Sequence, residues 1–232
     1  LFSGECDVLA VTVSHPCELP MIYRDLSREF PMLDYYDADI PLSLRYAAQA
    51  DARLLSRCRF RLDQELVCAV EALDSPWALN PRSIPLRILQ LSPNIEPALG
   101  TPTKLLIKYE RQVYSLNLEP ARPFILALNA ELNRSDPDLI LTDYGDTWLF
   151  PYLRKHHKEF NPNRDLSMQM LAKRAISYFT YGQVAHRGAQ THLFGRWHID
   201  RKNAMSFGGH GLEGALEQAR VTGLGIQEMA RK

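Results

Sequence analysis

The 232-residue sequence has no apolar run approaching the ~20 residues that a membrane-spanning helix needs, because charged side chains interrupt every candidate. Cysteine is scarce. Cys6, Cys17, Cys58 and Cys68 make no Cys-x2-Cys pair, and none has a histidine at zinc-ligand distance. This argues against a structural zinc centre and for reduced, packed thiols in a cytoplasmic protein. An excess of either charge is missing too, with 27 basic and 27 acidic residues, which excludes a uniformly basic nucleic-acid binder. No Gly-x-Ser-x-Gly elbow occurs, and Gly208-Gly209-His210-Gly211 lacks the preceding strand and following Lys or Ser of a phosphate loop. His186, His192 and His198 lie six residues apart, a spacing that no single helix or strand face presents, so they do not read as a metal cluster. Glu5 and Asp7 stand where a signal peptide carries positive charge, and the opening Leu1 reads as the start of a segment rather than of a whole protein.

What is present is a globular composition, 46% hydrophobic and 9% aromatic, in a chain long enough to bury about 70% of its unfolded surface. Asp7 to Val13 is a β-branched run. Glu18 to Phe30 carries a helical stripe at Leu19, Ile22, Tyr23 and Leu26. Arg53–Leu62 and Glu65–Leu73 are spaced as a hairpin. Asp74 to Pro85 holds three prolines and no periodicity, which predicts a boundary between an N-terminal domain, 1–85, and a second domain, 86–232. The second domain predicts strands at Leu86–Leu91, Lys104–Tyr109, Gln112–Leu118 and Leu139–Thr142. Helices are expected at Pro123–Leu132, Trp148–Phe160, Gly211–Gly223 and Ile226–Lys232. Strands, helix, strand, helix in that order predict an α/β fold with a mixed sheet and crossovers.

The neutral total hides a split. Residues 1–120 hold 12 basic and 16 acidic side chains, and residues 121–232 hold 15 and 11. Between Phe150 and Lys202 ten basic residues face three acidic ones, interleaved with Tyr152, Phe160, Tyr178, Phe179, Tyr181, Phe194 and Trp197. Cations that neutralise phosphates, mixed with rings on which bases stack, are the ingredients of a single-strand groove. The candidates for nucleic-acid contact are Arg154, Lys155, Lys158, Arg174, Tyr181, Arg187, Arg196, Arg201 and Lys202. A solvated basic face over an aromatic core would have the same composition.

Acidic residues gather around one strand. Asp136, Asp138, Asp143 and Asp146 flank Leu139–Thr142, and Asp200 follows later. Carboxylates at the end of a buried strand can hold two Mg²⁺ ions ~4 Å apart and activate water for phosphodiester cleavage. The alternative is turn and cap chemistry, with Asp136-Pro137-Asp138 as a turn and Asp146 as a helix N-cap.

Two stretches resemble family B DNA polymerases. Asp136-Pro137-Asp138-Leu139-Ile140-Leu141-Thr142, continuing to Phe150-Pro151-Tyr152-Leu153, looks like that family's second exonuclease motif. Gly195-Arg196-Trp197-His198-Ile199-Asp200 is similar to its Gly-Arg-x-His-x-Asp strand, and Tyr36-Asp37-Ala38-Asp39-Ile40-Pro41 resembles the end of its N-terminal region. The resemblance implies a smaller β-rich α+β N-terminal domain followed by a ribonuclease-H-like 3′–5′ exonuclease domain. DNA, single-stranded or primer-template, would be the partner, and a palm, fingers and thumb would be expected beyond Lys232. It also implies losses. Ser92 and Asn94 stand where the first motif places Asp-x-Glu, Trp148-Leu149 replaces a Phe-Asp pair, and the third motif, Tyr-x3-Asp, is absent. Tyr144-Gly145-Asp146-Thr147 resembles a palm motif but lacks its second aspartate.

The expectation is therefore an exonuclease-like fold that contacts DNA without catalysis and takes no cofactor. Its rivals are an active Mg²⁺-dependent nuclease using Asp143, Asp146 and Asp200, with Glu96 as a further ligand, and a protein-interaction module docking through the acidic first half.

Overall fold

The computed structural model describes residues 7–15, 18–38, 40, 42–50, 52, 54–75, 77–156, 170–180, 182–193, 195–204 and 207–229. The chain divides into two compact units, Leu1–Pro76 and Trp77–Lys232.

In the first unit, α1 (Leu19–Glu29) forms on the predicted stripe, with Pro20 in its first turn where no intrahelical acceptor exists for an amide. The Tyr35 hydroxyl donates to the Leu26 carbonyl at 2.8 Å, and the Tyr35 ring meets Tyr23 edge-on. α2 (Leu42–Ala50) is a further helix, outside the elements expected from the sequence. The expected hairpin is β1 (Cys58–Asp63) paired antiparallel with β2 (Leu66–Ala72) across Gln64, whose φ is positive. Residues 7–13 are not a strand. They are irregular and exposed apart from half-buried Val13, because a β-branched run with no partner strand leaves its backbone groups to water. Cys58 is half-buried and Cys68 exposed rather than packed in a core.

The second unit is built on a five-stranded mixed sheet. β3 (Ile88–Pro93), β4 (Lys104–Tyr109) and β5 (Gln112–Asn117) form an antiparallel meander. α3 (Ala121–Ser135) crosses to β6 (Leu139–Thr142), which pairs parallel with β3. α3 buries Ala121, Phe124, Ile125, Leu128 and Leu132, positions three and four apart that form one face. It stops at Asp136, a left-handed residue whose amide donates to the Leu132 carbonyl.

A single π-helical turn, Gly145–Leu149, leads into α4 (Phe150–His156). The remainder of the predicted 148–160 helix lies outside the described residues. Next come nested antiparallel pairs, β7 (Met170–Lys173) with β10 (Gln190–Leu193) and β8 (Ile176–Thr180) with β9 (Gln183–Arg187). β11 (Trp197–Asp200) then pairs parallel with β6. α5 (Phe207–Thr222) bends at Gly211, whose φ of 61° breaks the helix, and α6 (Ile226–Met229) follows.

The sheet order is β11-β6-β3-β4-β5. An antiparallel three-stranded meander, extended on the side of its first strand by two parallel strands, is the ribonuclease-H-like arrangement expected from the sequence. β6 is buried at all four positions because strands cover both of its edges and packed elements both of its faces.

Candidate functional site

β3, β6 and β11 run parallel, so their C-terminal ends meet on one edge of the sheet, where open α/β folds place ligands. Thr142 is in register with both Leu91 and Asp200. The ladder continues one rung further, since the Asp143 amide donates to Leu91 O and the Arg201 amide to Thr142 O. That rung sets Ser92, Asp143 and Arg201 side by side. Arg201 grips Asp143 with two nitrogens, Nε to Oδ1 at 3.0 Å and Nη2 to Oδ2 at 2.7 Å. The Ser92 hydroxyl donates to Asp143 Oδ2 at 2.9 Å. The pair is partly buried, with side-chain exposures of 29% for Arg201 and 23% for Asp143.

The neighbouring rung belongs to a buried polar network. Asp200 accepts three backbone amides, from Tyr144 (3.1 Å) and Lys202 (3.0 Å) on Oδ1 and from Asp146 (2.9 Å) on Oδ2. It thereby satisfies amides at the start of the π-turn from 54 and 56 residues away. Burial raises the Asp200 carboxyl above its ordinary value, and the amide donors oppose that shift without cancelling it. Asp146 is not the N-cap that its sequence position suggests: the cap residue is Tyr144, whose own side chain makes no cap bond. The Asp146 carboxylate instead accepts the Thr191 amide at 2.6 Å and the Asn203 side-chain amide at 2.8 Å, tying the π-turn to β10 and to the loop after β11. His198 is fully buried between the Thr191 carbonyl on Nδ1 and the Thr142 hydroxyl on Nε2, each at 2.8 Å. A carbonyl accepts but never donates, so the ring carries a proton on Nδ1 and donates it to Thr191. Gln227 closes the network by accepting the His198 amide at 3.1 Å.

Asp143, Asp146 and Asp200 thus converge near one sheet edge but serve different partners, and each carboxylate is taken up by protein donors. Among the described residues no three His, Cys, Asp or Glu side chains are grouped to hold a metal ion. Asn94 turns away to accept the Thr103 and Lys104 amides, each at 3.0 Å, which closes the loop before β4. The donor set does not fit a two-metal centre.

Beside this edge lies a cleft of about 400 Å³ between Tyr144, Thr147, Lys202, Asn203 and the Pro97–Ala98 loop. Lys202 Nζ sits 5.8 Å from the Tyr144 ring centre. A hydrogen bond with Glu96, together with desolvation, raises the Tyr144 hydroxyl above its ordinary value.

The basic candidates are distributed. Arg201 and Lys202 adjoin the cleft edge, with Lys202 exposed. Arg196 precedes β11, at the opposite end of a four-residue strand and so five residues, about 16 Å of extended chain, from Arg201. Its side chain is 12% exposed and 3.7 Å from Asp136. That end is an ionic clasp, in which Arg87 bonds Asp138 and Asp136, each at 2.8 Å, and joins the start of β6 to the start of β3. Arg154 is half-buried on α4, with Nη1 buried and lacking a hydrogen-bond partner among the described residues, whereas Lys155 beside it is exposed. Arg174 is exposed between β7 and β8, and Arg187 on β9 lies over the Tyr178 ring at 6.0 Å. Lys158 and Tyr181 lie outside the described residues. Sequence reasoning missed the parts of Ser92, Thr191, Asn203 and Gln227. Strand register was the signal that could have found Ser92, while the other three carry no motif.

Among the described residues no helix is long and apolar enough to cross a membrane. No family model and no curated protein sequence matches the chain. Among solved structures, a family B DNA polymerase from the hyperthermophilic archaeon Pyrobaculum calidifontis is similar at a TM-score of 0.49 and 19% identity. The match covers 81% of this chain and 26% of that one.

Proposed function

We propose that the chain is the N-terminal region (1–85) and exonuclease-like domain (86–232) of a family B DNA polymerase, a cytoplasmic protein of replication or repair. In this reading the segment holds DNA without cutting it, and nucleotide transfer belongs to a palm, fingers and thumb outside these residues. One observation carries it. The two stretches that resemble exonuclease motifs, more than 50 residues apart in sequence, are the parallel neighbours β6 and β11, in register from Trp197 opposite Leu139 to Asp200 opposite Thr142. Exposed Lys155, Arg174 and Lys202, with half-buried Arg187, are the cations offered to phosphates.

The test is fluorescence anisotropy with a labelled single-stranded oligonucleotide across a salt series. Affinity is expected to fall steeply as salt rises, and each phosphate contact removed should flatten the log–log slope by about 0.7. Joint Lys155→Ala, Arg174→Ala and Lys202→Ala substitution should weaken binding and flatten that slope. Absence of binding at low salt, or binding indifferent to salt, overturns the DNA-contact role. The same oligonucleotide should stay intact in Mg²⁺ or Mn²⁺. Metal-dependent shortening abolished by Asp146→Ala would establish the nuclease reading instead.

A further inference from the structure

We infer that the Arg201 guanidinium occupies the place of a catalytic cation, so that an internal ion pair has replaced a metal centre at this sheet edge. The inference deepens the non-cleaving half of the proposed function and rests on it; the DNA-contact half is independent. Register puts Ser92, Asp143 and Arg201 on one rung at the C-terminal ends of β3, β6 and β11. A divalent ion at such an edge neutralises carboxylates from several strands. Here a single carboxylate, Asp143, stands on the rung, and a permanently charged, planar donor meets both of its oxygens at 2.7 and 3.0 Å. Arg201 Nη2 also lies 3.4 Å from Ser92 Oγ, so one side chain links the ends of all three strands. A hard cation could reach Asp143 only by displacing a fixed positive charge held in a partly buried site, while Ser92 offers a neutral oxygen that already donates to that same carboxylate. The remaining carboxylates cannot supply the deficit, because Asp200 and Asp146 are committed to backbone and side-chain amides. The edge is closed by charge that the chain itself carries, and its integrity needs no metal.

The test is Mn²⁺ binding to the 232-residue chain, followed by electron paramagnetic resonance of free Mn²⁺, for wild type, Arg201→Gln and Ser92→Asp/Arg201→Gln. Removing the guanidinium and adding a carboxylate beside Asp143 should create a saturable site at least tenfold tighter than any in wild type. Arg201→Gln alone should show a smaller gain. Asp143→Asn added to the double variant should abolish the site. Wild type should bind no Mn²⁺ at Asp143, and its thermal midpoint should be indifferent to the metal. Stoichiometric wild-type binding lost in Asp143→Asn overturns the inference, as does a folded double variant with no gain. If the double variant does not fold, Arg201→Gln against wild type decides, and equal affinities overturn it. DNA is absent throughout, so failure here is distinct from failure of DNA contact.

Discussion

Gly145 opens the π-turn that carries Asp146, and the space beside it is already taken. A Cβ added at Gly145 would lie 2.1 Å from Thr142 Oγ1, 2.7 Å from Thr142 Cβ and 2.9 Å from His198 Nε2. Those atoms belong to two fully buried side chains hydrogen-bonded to each other at 2.8 Å, so neither can move aside without breaking that bond. Overpacking of this kind costs about 1–3 kcal/mol. Leaving the buried hydroxyl and ring nitrogen unpaired adds about 1–3 kcal/mol. Gly145→Ala should therefore destabilise the second unit by about 2–6 kcal/mol, a drop of roughly 4–24 °C in its thermal midpoint. The three tryptophans, Trp77, Trp148 and Trp197, all lie in that unit, so urea unfolding followed by tryptophan fluorescence reports it without interference from the first. Gly209→Ala is the control. Gly209 lies within α5 with open space where an added methyl group would sit, and alanine there should stabilise by up to about 1 kcal/mol. A Gly145→Ala protein within about 0.5 kcal/mol of wild type would refute the packing argument. So would equal losses in both variants.

Two further substitutions probe the charges at either end of the parallel strands. Arg87 holds the Asp138 carboxyl below its ordinary value of 3.8 through a side-chain hydrogen bond, so the unfolded chain binds a proton that the native state refuses. That stabilisation is full above about 3.8 and is lost as pH falls through the lowered native value. Arg87→Ala should therefore weaken the second unit at neutral pH, and acid titration of its stability should show the two proteins converging below that window. Asp200→Asn replaces an acceptor of three amides with a side chain offering one oxygen, which leaves an inward amide facing an NH₂ group. Urea denaturation should register a loss of about 1–3 kcal/mol. Because the Asp200 carboxyl is raised, wild type sheds part of its stability as pH climbs above 3.8 through the raised value, and the variant should lack that slope. An unchanged pH profile would show that Asp200 titrates alike in folded and unfolded chains.

Local pattern was sufficient for β3 to β6 and α3 of the second unit. Lys104–Tyr109 and Leu139–Thr142 are strands with the bounds that their hydrophobic runs imply, and α3 extends the predicted helix by two residues before and three after. These segments are legible because burial on one face or on both imposes a period that the residues themselves display. Residues 7–13 show the limit: a run of strand-formers becomes a strand only when another backbone pairs with it. The ribbon β7–β10 shows it from the other side, because pairing across intervening residues supplies order where no periodic stripe does. At the site, the sequence established that Ser92 and Asn94 are not acids and that Asp143 and Asp146 flank one strand, while the pairing of β11 with β6 brought Asp200 beside them. Tertiary structure decided what each one does. Parallel register, a non-local property, put Arg201 opposite Asp143 and turned a residue read as a DNA cation into the partner of a buried-edge carboxylate. Capping by Asp200 across more than 50 residues, and the withdrawal of Asp146 towards β10, depend likewise on hydrogen bonds between segments that share no motif. Residue types limited the chemistry available at this edge, and the pairing of the strands determined which charges meet.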